Sequence, residues 1–186
     1  MIFNMGCGYQ KLDGFQNVDV AEKCAPDEVV DLEATPWPWP DNCADEVLFN
    51  HSLEHLGQTP KVFLAIMTEL YRICRHDALV RINVPHIRHD NFWNDPTHVR
   101  PISPQLFRLF SKRENDAAIR QGASDTPLAH YLNVDFELLS AESVLEEPYS
   151  SQAQAGRMTI EELQLAARTQ NNVIVEFKIQ IKAVKN

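Results

Sequence analysis

Ile2-Phe3-Asn4-Met5-Gly6-Cys7-Gly8, followed shortly by Phe15-Gln16-Asn17-Val18-Asp19, opens the chain with two apolar runs, the first breaking into Gly-x-Gly and the second ending in a carboxylate. Short apolar runs bounded by turn residues read as buried strands. Two such strands side by side deliver their ends to one place. There a backbone free of Cβ at Gly6 and Gly8 can take positive φ and let a ligand approach the main chain. A carboxylate at the end of the second strand, Asp19, stands where a ribose diol would be held. Only Tyr9 to Gly14 separate the two runs, too few residues for a full crossover helix, so the connection is expected to be abbreviated. Because a lone Gly-x-Gly also occurs as a plain turn, its meaning depends on the rest of the chain.

A third strand is expected over Glu28 to Leu32, running through Asp31-Leu32-Glu33 into Thr35-Pro36-Trp37-Pro38-Trp39-Pro40. Alternate prolines forbid helix and ladder pairing, so this segment reads as an extended strap that packs two indoles on the core or walls a pocket. Glu46 to Asn50 makes a fourth strand and delivers His51-Ser52-Leu53-Glu54-His55-Leu56 at its carboxyl end, where ligands bind in open α/β sheets. Thr59-Pro60 begins a helix with Thr as N-cap and Pro in the first turn, its apolar face carried by Val62, Phe63, Ile66, Met67, Leu70, Ile73 and Cys74. The fifth strand is Leu79 to Val84. After Pro85 the run His86 to Pro101 gathers three histidines, two aspartates, two arginines and two aromatics. Ser103-Pro104 caps a short helix, and Ser111 to His130 is polar and weakly patterned, a candidate lid or surface loop. Asn133 to Ser140 reads as strand six, Ala141 to Met158 as an insertion, and Thr159-Ile160-Glu161-Glu162 as a capping box that starts a helix. The alternating Val173, Val175, Phe177, Ile179, Ile181 and Ala183 close the chain as a strand with one wet face, of antiparallel character.

At 186 residues the chain suits one domain, 1–186, with 86–130 as the acceptor-site or lid insertion. A formal charge of -9 with no Lys/Arg run argues against a nucleic-acid partner or an anionic membrane surface. Cys7, Cys24, Cys43 and Cys74 show neither zinc-knuckle nor disulfide spacing and read as free thiols. With no leader-like start and no apolar run of membrane-spanning length, the expected location is the cytoplasm.

Strands interspersed with helices and a final antiparallel pair predict a Rossmann-like, doubly wound α/β sheet of seven strands, mostly parallel with an antiparallel last strand. The motifs Asn4-Met5-Gly6-Cys7-Gly8, Asn17-Val18-Asp19, Asp31-Leu32-Glu33, Pro40-Asp41 and Leu53-Glu54-His55-Leu56 resemble, in order, those of class I S-adenosylmethionine-dependent methyltransferases, the small type 11-like members above all. The resemblance spans about residues 1–110. It implies S-adenosylmethionine as cofactor, with Asn4, Gly6 and Gly8 at its methionine end, Asp19 on the ribose hydroxyls, Asp31 and Leu32 bordering the adenine, and Asn50 and His51 beneath the sulfonium. Two positions depart from the pattern: Asn4 stands where an acidic residue is usual, and Gln10 where the third glycine falls.

Methyl transfer by in-line displacement needs no metal and relies on holding donor and acceptor at attack distance. If the acceptor must lose a proton, His55, His86, His89 and His98 are candidate bases; any one of them alone reads better as a hydrogen-bonded structural histidine, but the cluster is harder to dismiss. Arg88, Trp93, Asp95 and Arg100 are candidates for binding the acceptor, with either arginine gripping an anionic group. The acidic surface points to a small-molecule acceptor, an O or N nucleophile such as a sugar or a related intermediate. With no helix ahead of the first strand, a homodimer partner could cover the sheet face or pocket rim left bare. Other readings are a metal-dependent hydrolase using the His86 to His98 loop, and a non-catalytic cofactor-binding protein on the same fold. A nicotinamide dehydrogenase is disfavoured by the missing Gly-x-Gly-x-x-Gly spacing.

Overall fold

Alternate residues of the central strands are large and apolar: Phe3 and Met5, Val47 and Phe49, Val80, Ile82 and Val84, Ile179 and Ile181. Side chains two apart on a strand share a face. In the computed structural model, which describes residues 1–185, all of them are buried in one core on one side of a seven-stranded sheet. The strands are β1 (Ile2–Met5), β2 (Gln16–Asp19), β3 (Glu28–Val29), β4 (Ala44–Asn50), β5 (Cys74–Pro85), β6 (Phe136–Leu145) and β7 (Ile174–Ala183). Their order is β3-β2-β1-β4-β5-β7-β6, with β7 antiparallel to both of its neighbours and the remaining pairs parallel. This is the Rossmann-like sheet with an antiparallel last strand expected from the pattern.

Helix α1 (Pro60–Ile73) begins as its signals predict, with Thr59 Oγ1 accepting from Val62 N, and buries Phe63, Ile66, Met67, Leu70 and Ile73. Each such side chain is worth about 1.5–3 kcal/mol. Phe107 and Phe110, from a 3-10 stretch over Pro104–Phe110, extend the same layer. The proline-tryptophan segment is a strap. Trp37 and Trp39 are buried, the latter with its ring centroid 4.8 Å from that of Phe3. Two residues of α1 hold it: Glu69 accepts from Trp37 N at 2.7 Å, and Arg72 donates to the Trp37 and Trp39 carbonyls at 3.0 and 2.8 Å.

The opposite sheet face is dressed differently. In register across it stand Leu48, Arg81 and Gln180, with Arg81 and Gln180 exposed and Arg81 reaching along β4 to pair with Glu46 at 2.8 Å. The short connections read from the sequence account for this: β1 to β2 is a loop, and β2 to β3 holds only a 3-10 turn over Glu22–Cys24.

Several boundaries move. β3 stops at Val29, leaving Asp31 and Leu32 in the turn beyond it, where Asp31 Oδ1 accepts from Glu33 N. Residues 111–130 fold as α3 (Lys112–Arg120) and α4 (Leu128–Leu132), packed through Asn115, which is buried and accepts from Ala129 N. Much of 141–158 is strand and helix, because β6 runs on to Leu145 and α5 covers Tyr149–Gln154. A short α2 (Asp90–Trp93) lies after β5, and α6 (Ile160–Thr169) starts at the predicted capping box. All four cysteines are free and buried, and among the described residues no helix is long and apolar enough to cross a membrane.

Candidate functional site

Parallel pairing of β1, β2 and β4 brings their carboxyl ends to one edge, where two lobes of a crevice meet. The first, about 290 Å³, is lined by Asp19, Val20, Val30, Asp31, Leu32, His55 and Leu56; the second, about 300 Å³, by Asn4, Cys7, Tyr9, Gln10, Leu12 and Asn50. Gly6, Gly8 and His51 border both. The first lobe is therefore largely apolar with the Asp19 and Asp31 carboxylates among its lining, while the second is polar and apolar in nearly equal parts.

The loop between β1 and β2 is shaped by its own hydrogen bonds. Gly6 has φ of 70°, and a Cβ there would come within 2.6 Å of Ser52 Cβ, so this glycine is required by the close approach of β4's exit. Gly8 has φ of 50°, and its missing Cβ would meet nothing within 4 Å. Its N–H donates to Asp19 Oδ2 at 2.8 Å, and Ala21 N donates to Asp19 Oδ1 at 2.8 Å. A carboxylate offers about four lone-pair sites, so Asp19 anchors the loop and still has capacity for a ligand. Asn4 is buried and donates through Nδ2 to the Gln10 carbonyl and to Asn17 Oδ1, at 2.9 and 3.0 Å.

His51 has φ of 53°, a left-handed conformation costly for a residue with Cβ and found preferentially where surrounding contacts impose it. Its Nε2 lies 2.9 Å from Glu176 Oε2 and its Nδ1 3.6 Å from Glu54 Oε1. The Glu54 carboxylate, opposed by burial and reinforced by Glu176, raises the His51 pKa above its ordinary value. Beside it, residues 95–100 are latched to the turn after β4, for Val99 and Arg100 both donate their N–H to the Glu54 carbonyl, at 3.0 and 3.1 Å. Arg100 Nε also donates to the Gly57 carbonyl at 3.0 Å, with its guanidinium 4.3 Å above the Phe63 ring. The latch sets the His98 ring 4.5 Å from that of His55. Asp95 holds the turn, accepting from Thr97 N at 2.8 Å, and those bonds from Thr97 lower its pKa.

Of the residues singled out from sequence, Asn4, Gly6, Gly8, Asp19, Asp31, Leu32, Asn50, His51 and His55 line the crevice, and His98 adjoins it. The others in the His86 to Arg100 run do not line it. His86 packs on Phe177 and accepts from Arg88 N, and its burial lowers its pKa. Arg88 donates to the Arg168 carbonyl, and the buried His89 pairs with Glu146 at 3.1 Å. Trp93 is exposed and donates to the Ile87 carbonyl. Reading the sequence left Glu54 and Glu176 without a role. Glu54 lay inside the Leu-Glu-His-Leu motif and was identifiable there, whereas Glu176 reaches the site only through the β5–β7 pairing.

No family model matches the chain, and no curated protein matches its sequence. Solved structures do share its shape. A SAM-dependent methyltransferase from Archaeoglobus fulgidus aligns over 97% of this chain and 85% of its own, with a TM-score of 0.64 at 18% identity. The Burkholderia thailandensis 1,6-didemethyltoxoflavin-N1-methyltransferase, solved with 1,6-didemethyltoxoflavin and S-adenosylhomocysteine bound, aligns over 99% and 71%, with a TM-score of 0.51 at 10% identity. The [4+2]-cyclase SpnF aligns over 100% and 75%, with a TM-score of 0.54 at 12% identity, so one fold carries more than one chemistry. The chain has the Rossmann-like fold of the class I SAM-dependent methyltransferases.

Proposed function

We propose that the protein binds S-adenosylmethionine in the two-lobed crevice and transfers its methyl group to a small-molecule acceptor. The observation that carries this reading is the division of the crevice. An apolar lobe with Leu32, Val30 and Leu56 suits a purine, the Asp19 carboxylate at its rim suits a ribose diol, and the more polar lobe beside Asn50 and Gln10 suits an amino-acid end. Asp19 retains acceptor capacity for the diol while its backbone bonds keep it in place. Bound there, the cofactor supplies an electrophilic methyl on sulfur. The chain contributes position and exclusion of water. His51, where the lobes meet, is placed beneath the sulfonium, and His55 and His98 face the acceptor. In this reading His86, Arg88 and His89 hold the loop rather than the substrate, and Trp93 offers an exposed face to an acceptor. The acceptor is a small molecule, since the net charge of -9 disfavours nucleic acid. A second copy over the open sheet face, forming a homodimer, is the complementary proposal for oligomeric state.

Calorimetric titration with S-adenosylhomocysteine tests the cofactor site. Wild type is expected to bind, and Asp19→Ala to lose binding by tenfold or more, the equivalent of at least about 1.4 kcal/mol. Asp19→Asn separates the roles, because its amide oxygen can still anchor one backbone N–H while the acceptor for the diol is reduced. No heat from folded wild type would exclude the reading.

A further inference from the structure

Glu54 is only 1% exposed, and neither of its carboxylate oxygens has a hydrogen-bond partner among the described residues. Buried carboxylates are ordinarily paired or coordinate metals, because an unpaired charge in a low-dielectric interior is expensive. The nearest candidates are histidine nitrogens, His51 Nδ1 at 3.6 Å and His98 Nε2 at 3.9 Å, both beyond hydrogen-bond reach. One ligand atom from each of Glu54, His55 and His98 lies within 4.8 Å of the other two.

Hydrogen bonds at Nδ1 of both rings decide which nitrogen is free to bind a metal. His98 Nδ1 is 2.8 Å from the Phe92 carbonyl, which can only accept, so this nitrogen carries a proton and the neutral ring turns the Nε2 lone pair toward Glu54. His55 Nδ1 is 2.8 Å from Thr97 Oγ1, whose own hydrogen is donated to Asp95 Oδ1 at 2.6 Å. Thr97 therefore accepts from His55, and the Nε2 of His55 is likewise left as a lone pair. Such donation from the second ring nitrogen is the outer-shell arrangement of metal-ligating histidines. Tetrahedral ligands about 2.0–2.2 Å from one ion stand roughly 3.3–3.6 Å apart, so the three side chains must draw together by up to about 1.5 Å to share the ion.

We propose that Glu54, His55 and His98 bind one divalent transition-metal ion of the zinc or manganese class, with its open positions toward the crevice that His55 lines, to receive an oxygen of the acceptor. Two imidazoles and a carboxylate suit such an ion and leave it coordinatively unsaturated. Orienting an acceptor through oxygen rests on the methyltransferase reading; the metal site itself does not. His51, engaged by Glu176 through Nε2, stays outside the ligand set.

The test is calorimetric titration of chelator-stripped, desalted protein with ZnCl₂ and with MnCl₂, alongside a separate titration with S-adenosylhomocysteine. One ion per chain is expected, together with a rise in melting temperature at excess metal. Glu54→Gln and His98→Ala should weaken metal binding by more than the roughly 10–100-fold that losing an outer-shell partner costs, while His86→Ala binds as wild type. A cooperative melt of Glu54→Gln in metal-free buffer shows that the variant is folded and so qualifies it for the titration. Should either ligand variant fail to fold, the visible absorption of the Co²⁺-loaded wild type decides, with nitrogen and oxygen ligation expected. Folded wild type that binds none of these ions, or variants that bind unchanged, would overturn the site. Metal binding without S-adenosylhomocysteine binding would keep the site and remove the methyltransferase reading.

Discussion

Asn4 shows how one residue can look like a defect in a motif and turn out to be its support. Both groups that its amide meets, the Gln10 carbonyl and Asn17 Oδ1, are acceptors. An aspartate at this position would set acceptor against acceptor in a site only 3% exposed. Asn4→Asp should therefore lose about 1–3 kcal/mol, the cost of leaving a buried polar group unpaired, read as a lower urea midpoint. Equal midpoints would mean that the loop tolerates a carboxylate and that the amide is incidental. The sequence placed Asn4 at the site because it precedes Gly6, but the reason for the amide lay in Asn17 and Gln10, partners that only the folded loop identifies. Glu54 is the converse case. Its neighbours in the motif were readable, whereas its burial comes from Leu53 plugging the core on one side and residues 95–100 closing over it on the other.

At the scale of elements, the strap and α1 depend on each other through Glu69 and Arg72. Glu69 accepts from Trp37 N and from Arg72, and these bonds, Arg72 first, lower its pKa below the ordinary 4.5. A carboxylate whose folded pKa is depressed contributes stability above its unfolded pKa and loses it as the pH falls through the folded value. Glu69→Gln should thus be less stable than wild type at neutral pH, with the difference shrinking below pH 4.5. Urea midpoints of the two proteins across that range check this. A difference constant with pH would assign the effect to packing instead of charge. The prolines and tryptophans made the strap legible from sequence, since alternate prolines exclude helix and ladder alike. The clamp was not legible, because Glu69 and Arg72 on a helical pattern read as solvated side chains. Element ends were also misplaced where alternation breaks. The register shift between Leu138 and Ser140 hides the continuation of β6, and the Asp31 turn cuts β3 short.

For the molecule as a whole, the strand count and the antiparallel character of β7 were legible because period-two patterning is a local property. The unequal dressing of the two sheet faces was not, since it depends on register across β4, β5 and β7. This architecture gives the crevice one covered flank and leaves its floor to loops at the ends of β1, β2 and β4. Such loops open locally, whereas buried strands such as β5 open with the whole chain and report only global stability. Amide hydrogen exchange with and without S-adenosylhomocysteine separates the two responses. Slowing is expected in residues 8–14, 30–33 and 51–57, at exchange times short enough that only local opening contributes. The outer strand β6, at the far edge of the sheet, should change little on that timescale. Were calorimetry to register binding while these loops exchanged as fast as before, the ligand would have to sit away from the crevice, and the assignment of Asp19 to the ribose would fall with it.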